Sequence, residues 1–121
     1  MSKSKAYYRK KADRLFQEIG RRKFPKCLVC NKPSSCLHHY YPKSTAGNLR
    51  YNFNNGVPLC AGCHFRHHNG FPEIQNQINF IKGEDWLSNL KEERKNYIKC
   101  DTIGYYKDKI AELQETLESL D

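Results

Sequence analysis

Between residues 5 and 22, Tyr8, Ala12, Leu15, Phe16 and Ile19 recur at helical spacing, with Arg9, Lys10, Arg14 and Arg21 elsewhere around the wheel. That pattern predicts an amphipathic helix with a basic outer surface, weakened or ended at Gly20. Arg21 to Pro25 then reads as a basic linker. Near the other end, Ile103, Tyr106, Ile110, Leu113, Leu117 and Leu120 follow one another at intervals of 3, 4, 3, 4 and 3. This is the seam of a coiled coil and predicts a helix over 102–120. With only about two and a half heptads, the seam can pack back on its own chain or pair with a second copy.

The middle of the chain has shorter periods. Cys36 to Tyr41 reads as a short strand stopped by Pro42. Ser44 to Asn48 is a loop, with Gly47-Asn48 as turn chemistry, and Asn52 to Gly56 is a second turn-rich stretch. Val57 to Cys60 is an extended piece leading into a helix from about 61 to 68, closed by Asn69-Gly70. The order is strand, loop, strand, helix. Pro72 suits the first turn of a further helix that turns Ile74, Ile78 and Ile81 inward and ends near Gly83. Glu84 to Lys99 is another helical stretch, with Trp86, Leu87, Leu90, Tyr97 and Ile98 as core contacts. The predicted class is α+β, mostly helical. The expected division is a basic helix and linker over 1–26, a core over 27–70 and a helical region over 71–121.

Length and hydropathy limit the stabilising core. A chain of 121 residues makes one domain, and a mean hydropathy of -0.87 leaves it a modest apolar interior. A structural metal would be a useful staple. No apolar run is long enough to span a membrane, and none follows the basic start Met-Ser-Lys-Ser-Lys, so neither a spanning helix nor a signal peptide is expected.

Charge sharpens this picture. The formal net charge is +8, and residues 1–26 carry all of it; residues 27–121 balance to zero. No Asp or Glu occurs between Glu18 and Glu73, while that window holds Arg21, Arg22, Lys23, Lys26, Lys32, Lys43, Arg50 and Arg66. An acid-free basic segment points to a polyanion, most simply nucleic acid. A basic surface kept only for solubility does not explain why acids are missing in this window alone. Lys43, Arg50 and Arg66, with Arg21, Arg22 and Lys23 in the linker, are candidate phosphate contacts.

The acid-free window also holds the soft ligands. Cys27-x2-Cys30 and Cys60-x2-Cys63, separated by 29 residues, have the spacing of a tetrahedral zinc site. Four sulfurs leave no open position, so such a site is structural. In a rival arrangement Cys36 or a histidine replaces one of these ligands. Paired Cys-x-x-Cys spacing argues for a reducing compartment rather than a disulfide scaffold. Cys36 and Cys100 are otherwise spare thiols.

All five histidines, His38, His39, His64, His67 and His68, fall in the same window. His64 and His68 are four apart on a predicted helix and share a face, so they can chelate one ion together. Three imidazoles, or two and water, can hold a divalent cation and leave positions open for a phosphate oxygen. With no carboxylate nearby, a general base would also be a histidine, whose ordinary pKa of about 6.5 suits that task. His38 and His39 are neighbours, and both can serve one site only if the strand ends or bends there. His67, about 100° from His68 on a helix, is expected to face DNA phosphate or solvent.

His38-His39, Asn55 and Leu59-Cys60-x-x-Cys63-His64-x3-His68 together resemble the motif of the HNH endonucleases on a zinc-stapled ββα-metal core. The resemblance implies roles. His39 is the general base, His38 and His64 are ligands to a catalytic Mg²⁺ or another divalent cation, and His68 is a further ligand. Asn55, or Asn54 in its place, braces the loop and orients the base. Zn²⁺ on Cys27, Cys30, Cys60 and Cys63 is structural. Further runs extend the likeness: Lys10-Lys11-Ala12-Asp13-Arg14-Leu15-Phe16-Gln17-Glu18 after Tyr8, His39-Tyr40-Tyr41-Pro42-Lys43, Leu49-Arg50-Tyr51-Asn52, and Gly83-x-x-Trp86-Leu87. They are similar to the phage recombination endonuclease family NinG (Rap). That likeness implies cutting of branched DNA such as Holliday junctions and D-loops, homodimers, and phage-encoded action in a bacterial cytoplasm. The two complete Cys-x-x-Cys pairs follow the general HNH pattern instead, and keep open a nicking, restriction or homing nuclease of ordinary duplex. A third reading is a zinc-stabilised DNA-binding protein without catalysis. Tyr40, Tyr41, Tyr51, Phe53 and Phe65 are read as core residues before base-stacking ones.

Overall fold

Ser4 opens helix α1 (Lys5–Lys23), its side chain accepting from the Tyr7 N–H, and Arg21, Arg22 and Lys23 complement the dipole in the last turn. The computed structural model describes residues 2–96 and 98–120. Two short antiparallel strands follow, β1 (Cys36–His39) and β2 (Gly56–Leu59), joined by a long connection with two 3₁₀ turns at Gly47–Leu49 and Phe53–Asn55. Then come α2 (Ala61–His68), α3 (Pro72–Lys82), α4 (Glu84–Lys95) and α5 (Ile103–Ser119), the last capped by the Thr102 side chain. The class is α+β and mostly helical, with the strand, loop, strand, helix order in place.

The seam of α5 turns inward onto its own chain. Tyr106, Ile110 and Leu113 bury against Ala12, Phe16 and Ile19 of α1, together with Leu37 and Tyr51. Its end positions stay out of this core, Ile103 and Leu120 each being 39% exposed. Helix α1 runs through Gly20 instead of stopping there. A Cβ at Gly20 would lie 2.9 Å from Leu37 Cβ and Cδ2, and one at Gly56 would lie 2.6 Å from Leu37 Cγ and Cδ2. Two glycines therefore leave the room that Leu37 fills. This core fixes β1 against α1.

Residue 37 pairs with 58, and His39 pairs with Gly56, where the sheet ends. The predicted strand to Tyr41 is thus two residues too long. Tyr40 still donates its N–H to the Asn55 carbonyl at 2.8 Å, but Tyr41 turns to the Asn55 side chain. The free edge of β1 is closed by Gln17 of α1, whose amide donates to Leu37 O at 2.9 Å and accepts from Leu37 N at 2.8 Å. One glutamine does there what a neighbouring strand would do.

A second core joins Cys27, Val57, Leu59, Cys60, Cys63, Ile74 and Ile78. Only Ile74 and Ile78 of α3 reach it; Ile81, expected inward, lies on nearly the same helix face as Ile74 but in the last turn, outside this cluster, and is 47% exposed. A third, smaller core joins Ala46, Leu49 and Leu90, with Trp86 beside it. Helix α4 ends at Lys95, short of the expected Lys99. Asn48 Nδ2 donates to the carbonyls of Glu93, Arg94 and Asn96 and so caps the helix end. Ile98 lies beyond the helix and is exposed, and Tyr97 falls outside the described residues. No helix is long and apolar enough to cross a membrane among the described residues.

Candidate functional site

The Sγ atoms of Cys27, Cys30, Cys60 and Cys63 lie within 4.8 Å of one another, and this cluster could hold a metal ion such as zinc. Four sulfurs about 2.3 Å from a tetrahedral ion sit about 3.8 Å apart, so the spacing fits. Cys30 Sγ and Cys60 Sγ are 3.4 Å apart. The turn carrying Cys27 and Cys30 closes through Asn31, whose φ of 65° is a left-handed conformation that asparagine tolerates. Cys60 caps α2 by accepting from the Cys63 N–H, and that bond pulls its thiol down to about 6. Burial pushes Cys63 the other way, up to about 12. Crowded sulfurs ionise together most readily around a cation. Cys36, the rival ligand, lies outside the four-sulfur group.

The cluster fastens the start of α2 beside β2, and α2 carries the second ligand set. The ligand nitrogens of His38, His64 and His68 also lie within 4.8 Å of one another. His64 Nε2 and His68 Nε2 are 2.8 Å apart. Two nitrogens about 2.1 Å from one ion at a near-right angle are about 3 Å apart, so this pair can share a cation. Burial, with the neighbouring imidazoles, pushes His38 down to about 3 and also lowers His64. These rings are neutral at neutral pH, the form that binds metal. His67 was expected to face away. Its ring instead stands edge-on to His38 with centroids 4.7 Å apart. Positions 64, 67 and 68 share one helix face, and His38 of β1 reaches into it.

His39 does face the opposite way from His38, as neighbours on a strand must. Its ring stacks on Phe16 of α1 at 5.3 Å, and its Nε2 lies 2.9 Å from the Arg50 carbonyl oxygen. Since a carbonyl only accepts, Nε2 carries the proton and Nδ1 is left as the basic nitrogen. Burial holds the ring below its ordinary pKa. Both histidines nevertheless line one cleft of about 450 Å³ that runs along β1; His64, His68, Gln17, Lys43 and Ser44 line it too, and no carboxylate does among the described residues.

Asn55 is fully buried, the single polar residue in the core of the described chain. Its Oδ1 accepts from Tyr41 N at 2.8 Å, and its Nδ2 donates to the carbonyls of Tyr41 at 3.1 Å and Leu49 at 3.5 Å. It therefore ties both ends of the 41–50 loop that brings the Arg50 carbonyl to His39. Asn54 is exposed, and its backbone oxygen accepts from the Trp86 indole N–H.

The candidate phosphate contacts divide. Arg50 is not a free surface charge: Nε and Nη2 clamp both oxygens of Asp13, at 2.8 and 2.6 Å. Arg66 is also engaged, donating to Cys63 Sγ at 3.2 Å. Arg22 pairs with Glu18, Lys23 lies over the rings of Phe24 and Phe53, and Arg21 is exposed; none of the three lines the histidine cleft. Lys43 does line it. Phe65 is 65% exposed rather than core, whereas Tyr51 is buried and Tyr40, Tyr41 and Phe53 are half-buried.

Sequence reasoning missed Asp13, Gln17 and Tyr51 as parts of this arrangement. Tyr51 donates its hydroxyl to Asp13 at 2.9 Å. Burial alone would raise the Asp13 carboxyl, but the bonds from Arg50 and Tyr51 hold it below its ordinary value. Asp13 and Arg50 are far apart in sequence, and an acid on a helix beside basic neighbours carries no signal of such a partner. Comparison with protein-family models, with curated proteins and with solved structures found no match.

Proposed function

We propose that this chain is a divalent-metal-dependent DNA endonuclease of the HNH type, on a zinc-stapled ββα-metal core. The observation that carries the proposal is one cleft, free of carboxylates among the described residues, that holds a three-histidine ligand set and a separate, carbonyl-fixed histidine. A plain DNA binder has no need of either, and the resemblance to HNH endonucleases supports the same reading.

His38, His64 and His68 hold the catalytic cation, which when bound supplies Lewis-acid stabilisation of charge on the phosphate and the leaving 3′ oxygen. His39 takes a proton from water through Nδ1, because the Arg50 carbonyl keeps Nε2 protonated and the ring in place. Asn55 keeps that carbonyl where it is. Lys43 meets the anionic backbone at the rim. Hydrolysis leaves 5′-phosphate and 3′-hydroxyl ends. The resemblance to phage recombination nucleases adds branched DNA as the substrate, a homodimer as the working form and the host cytoplasm as its place.

The test is incubation of the zinc-loaded protein with a synthetic four-way junction and a matched linear duplex, under Mg²⁺, Mn²⁺ or chelator. The expected outcome is metal-dependent cutting of the junction with 5′-phosphate ends. Equal cutting of the linear duplex replaces the branched-DNA reading with a nicking or restriction type of activity. Binding without cutting under every ion overturns the nuclease reading.

A further inference from the structure

Beside the histidine cleft lies a second pocket of about 280 Å³, lined among others by Arg9, Lys43, Ser44, Arg50, Asp101 and Tyr106. Lys43 and Ser44 line both spaces, so the two share a wall at that point. The cations come from separate parts of the fold: Arg9 from α1, Lys43 from the turn after β1 and Arg50 from the loop before Tyr51. We infer that this pocket is a phosphate subsite for the nucleotide adjoining the one in the histidine cleft, with Lys43 bridging the two. The inference rests on the cleft taking a phosphodiester, and it assigns the direction in which the strand leaves.

Three features fit an anion of that kind. Arg50 is held in place by Asp13 through Nε and Nη2, which leaves Nη1 outside that pair. A guanidinium fixed in this way loses little freedom when it meets a phosphate oxygen. Lys43 makes no ion pair among the described residues, though it stands at the junction of two cavities. Asp101, the single carboxylate of the pocket among the described residues, is already engaged. It accepts from Lys5 at 3.0 Å and from the Tyr106 hydroxyl at 2.7 Å, and lies 4.0 Å from Arg9 Nη1. An arriving phosphate competes with Asp101 only for Arg9, at the longest of these contacts.

The probe is thymidine 3′,5′-bisphosphate, titrated into the zinc-loaded full chain and followed by amide and side-chain NMR. Shifts at Arg9, Lys43 and Ser44 as well as at the histidines are expected. Arg9→Gln and Lys43→Gln should each weaken binding by about tenfold, the loss of one charge-assisted contact. Asp101→Asn should tighten it, by freeing Arg9. On DNA, each of the two cation substitutions should lower the salt slope of binding by about 1. Shifts confined to the histidine cleft, or affinities unchanged in both cation variants, overturn the subsite. A protein that binds the bisphosphate here yet never cuts DNA sinks the nuclease reading and keeps the subsite. One that cuts DNA equally well without Arg9 and Lys43 loses the subsite alone.

Discussion

The Arg50 carbonyl oxygen sits 2.9 Å from His39 Nε2, while the Arg50 side chain is clamped by Asp13 of the first helix. One residue thus holds the imidazole through its backbone and is itself held through its guanidinium. If His39 is the general base, His39→Ala should keep the fold and DNA affinity but cut about 10²–10⁴-fold more slowly. Single-turnover cleavage beside a binding isotherm separates the two effects. Unchanged cleavage would remove His39 from the reaction.

Asn55→Ala should be costly for stability. It strands the Tyr41 N–H and carbonyl inside the protein, at a cost of about 2–3 kcal/mol, and frees the loop that presents the Arg50 carbonyl. Urea unfolding should show that loss. A variant of wild-type stability would mean the loop has other ties.

The four-sulfur cluster should govern folding. Cys60→Ser removes a ligand while its hydroxyl can still cap α2, so the loss reads the metal alone, and in so small a domain the protein should bind no zinc and melt without a cooperative transition. Metal content by mass spectrometry and a thermal melt settle this. A zinc-free variant as stable as the parent would refute the staple.

Acid should weaken the helix-to-loop clamp. The Asp13 carboxyl is held below its unfolded value, so its contribution is complete above about pH 4 and fades as pH falls through the folded value. Both side chains keep some exposure, so about 1 kcal/mol is expected. Chemical denaturation of wild type and Asp13→Asn across pH should show a gap at neutral pH that closes in strong acid. A constant gap would mean that the carboxylate charge is not what matters.

Gly56→Ala tests whether packing sets the sheet. The new methyl would lie 2.6 Å from Leu37 Cγ and Cδ2, side-chain atoms of a fully buried residue, and should cost about 1–3 kcal/mol. A neutral effect would show that Leu37 has room to move.

Local pattern carried much of this in the sequence. The cysteine pairs, the i, i+4 histidines and the strand, loop, strand, helix order can all be read from spacing, because each depends on near neighbours or on one ion. The pairing of α5 with α1 could not be chosen over a dimer, since a seam states that it needs a partner without naming one. Asp13 with Arg50, and Gln17 along the edge of β1, join residues brought close only by that packing. His67 was misplaced because its angle was measured from His68 alone, without the strand residue that reaches between them.

The contact between α1 and α5 also sets an order of events during synthesis. Ala12 and Phe16 emerge early, but α5, which covers them, emerges after every other described element. Phe16 in turn backs His39. Until α5 has left the ribosome, the stacking partner of that imidazole lacks the α5 side of its core, although Tyr51 and Phe53 can already lie against it. A nascent chain therefore carries His39 and Phe16 well before the packing behind them is complete, and that packing closes only when α5 joins α1.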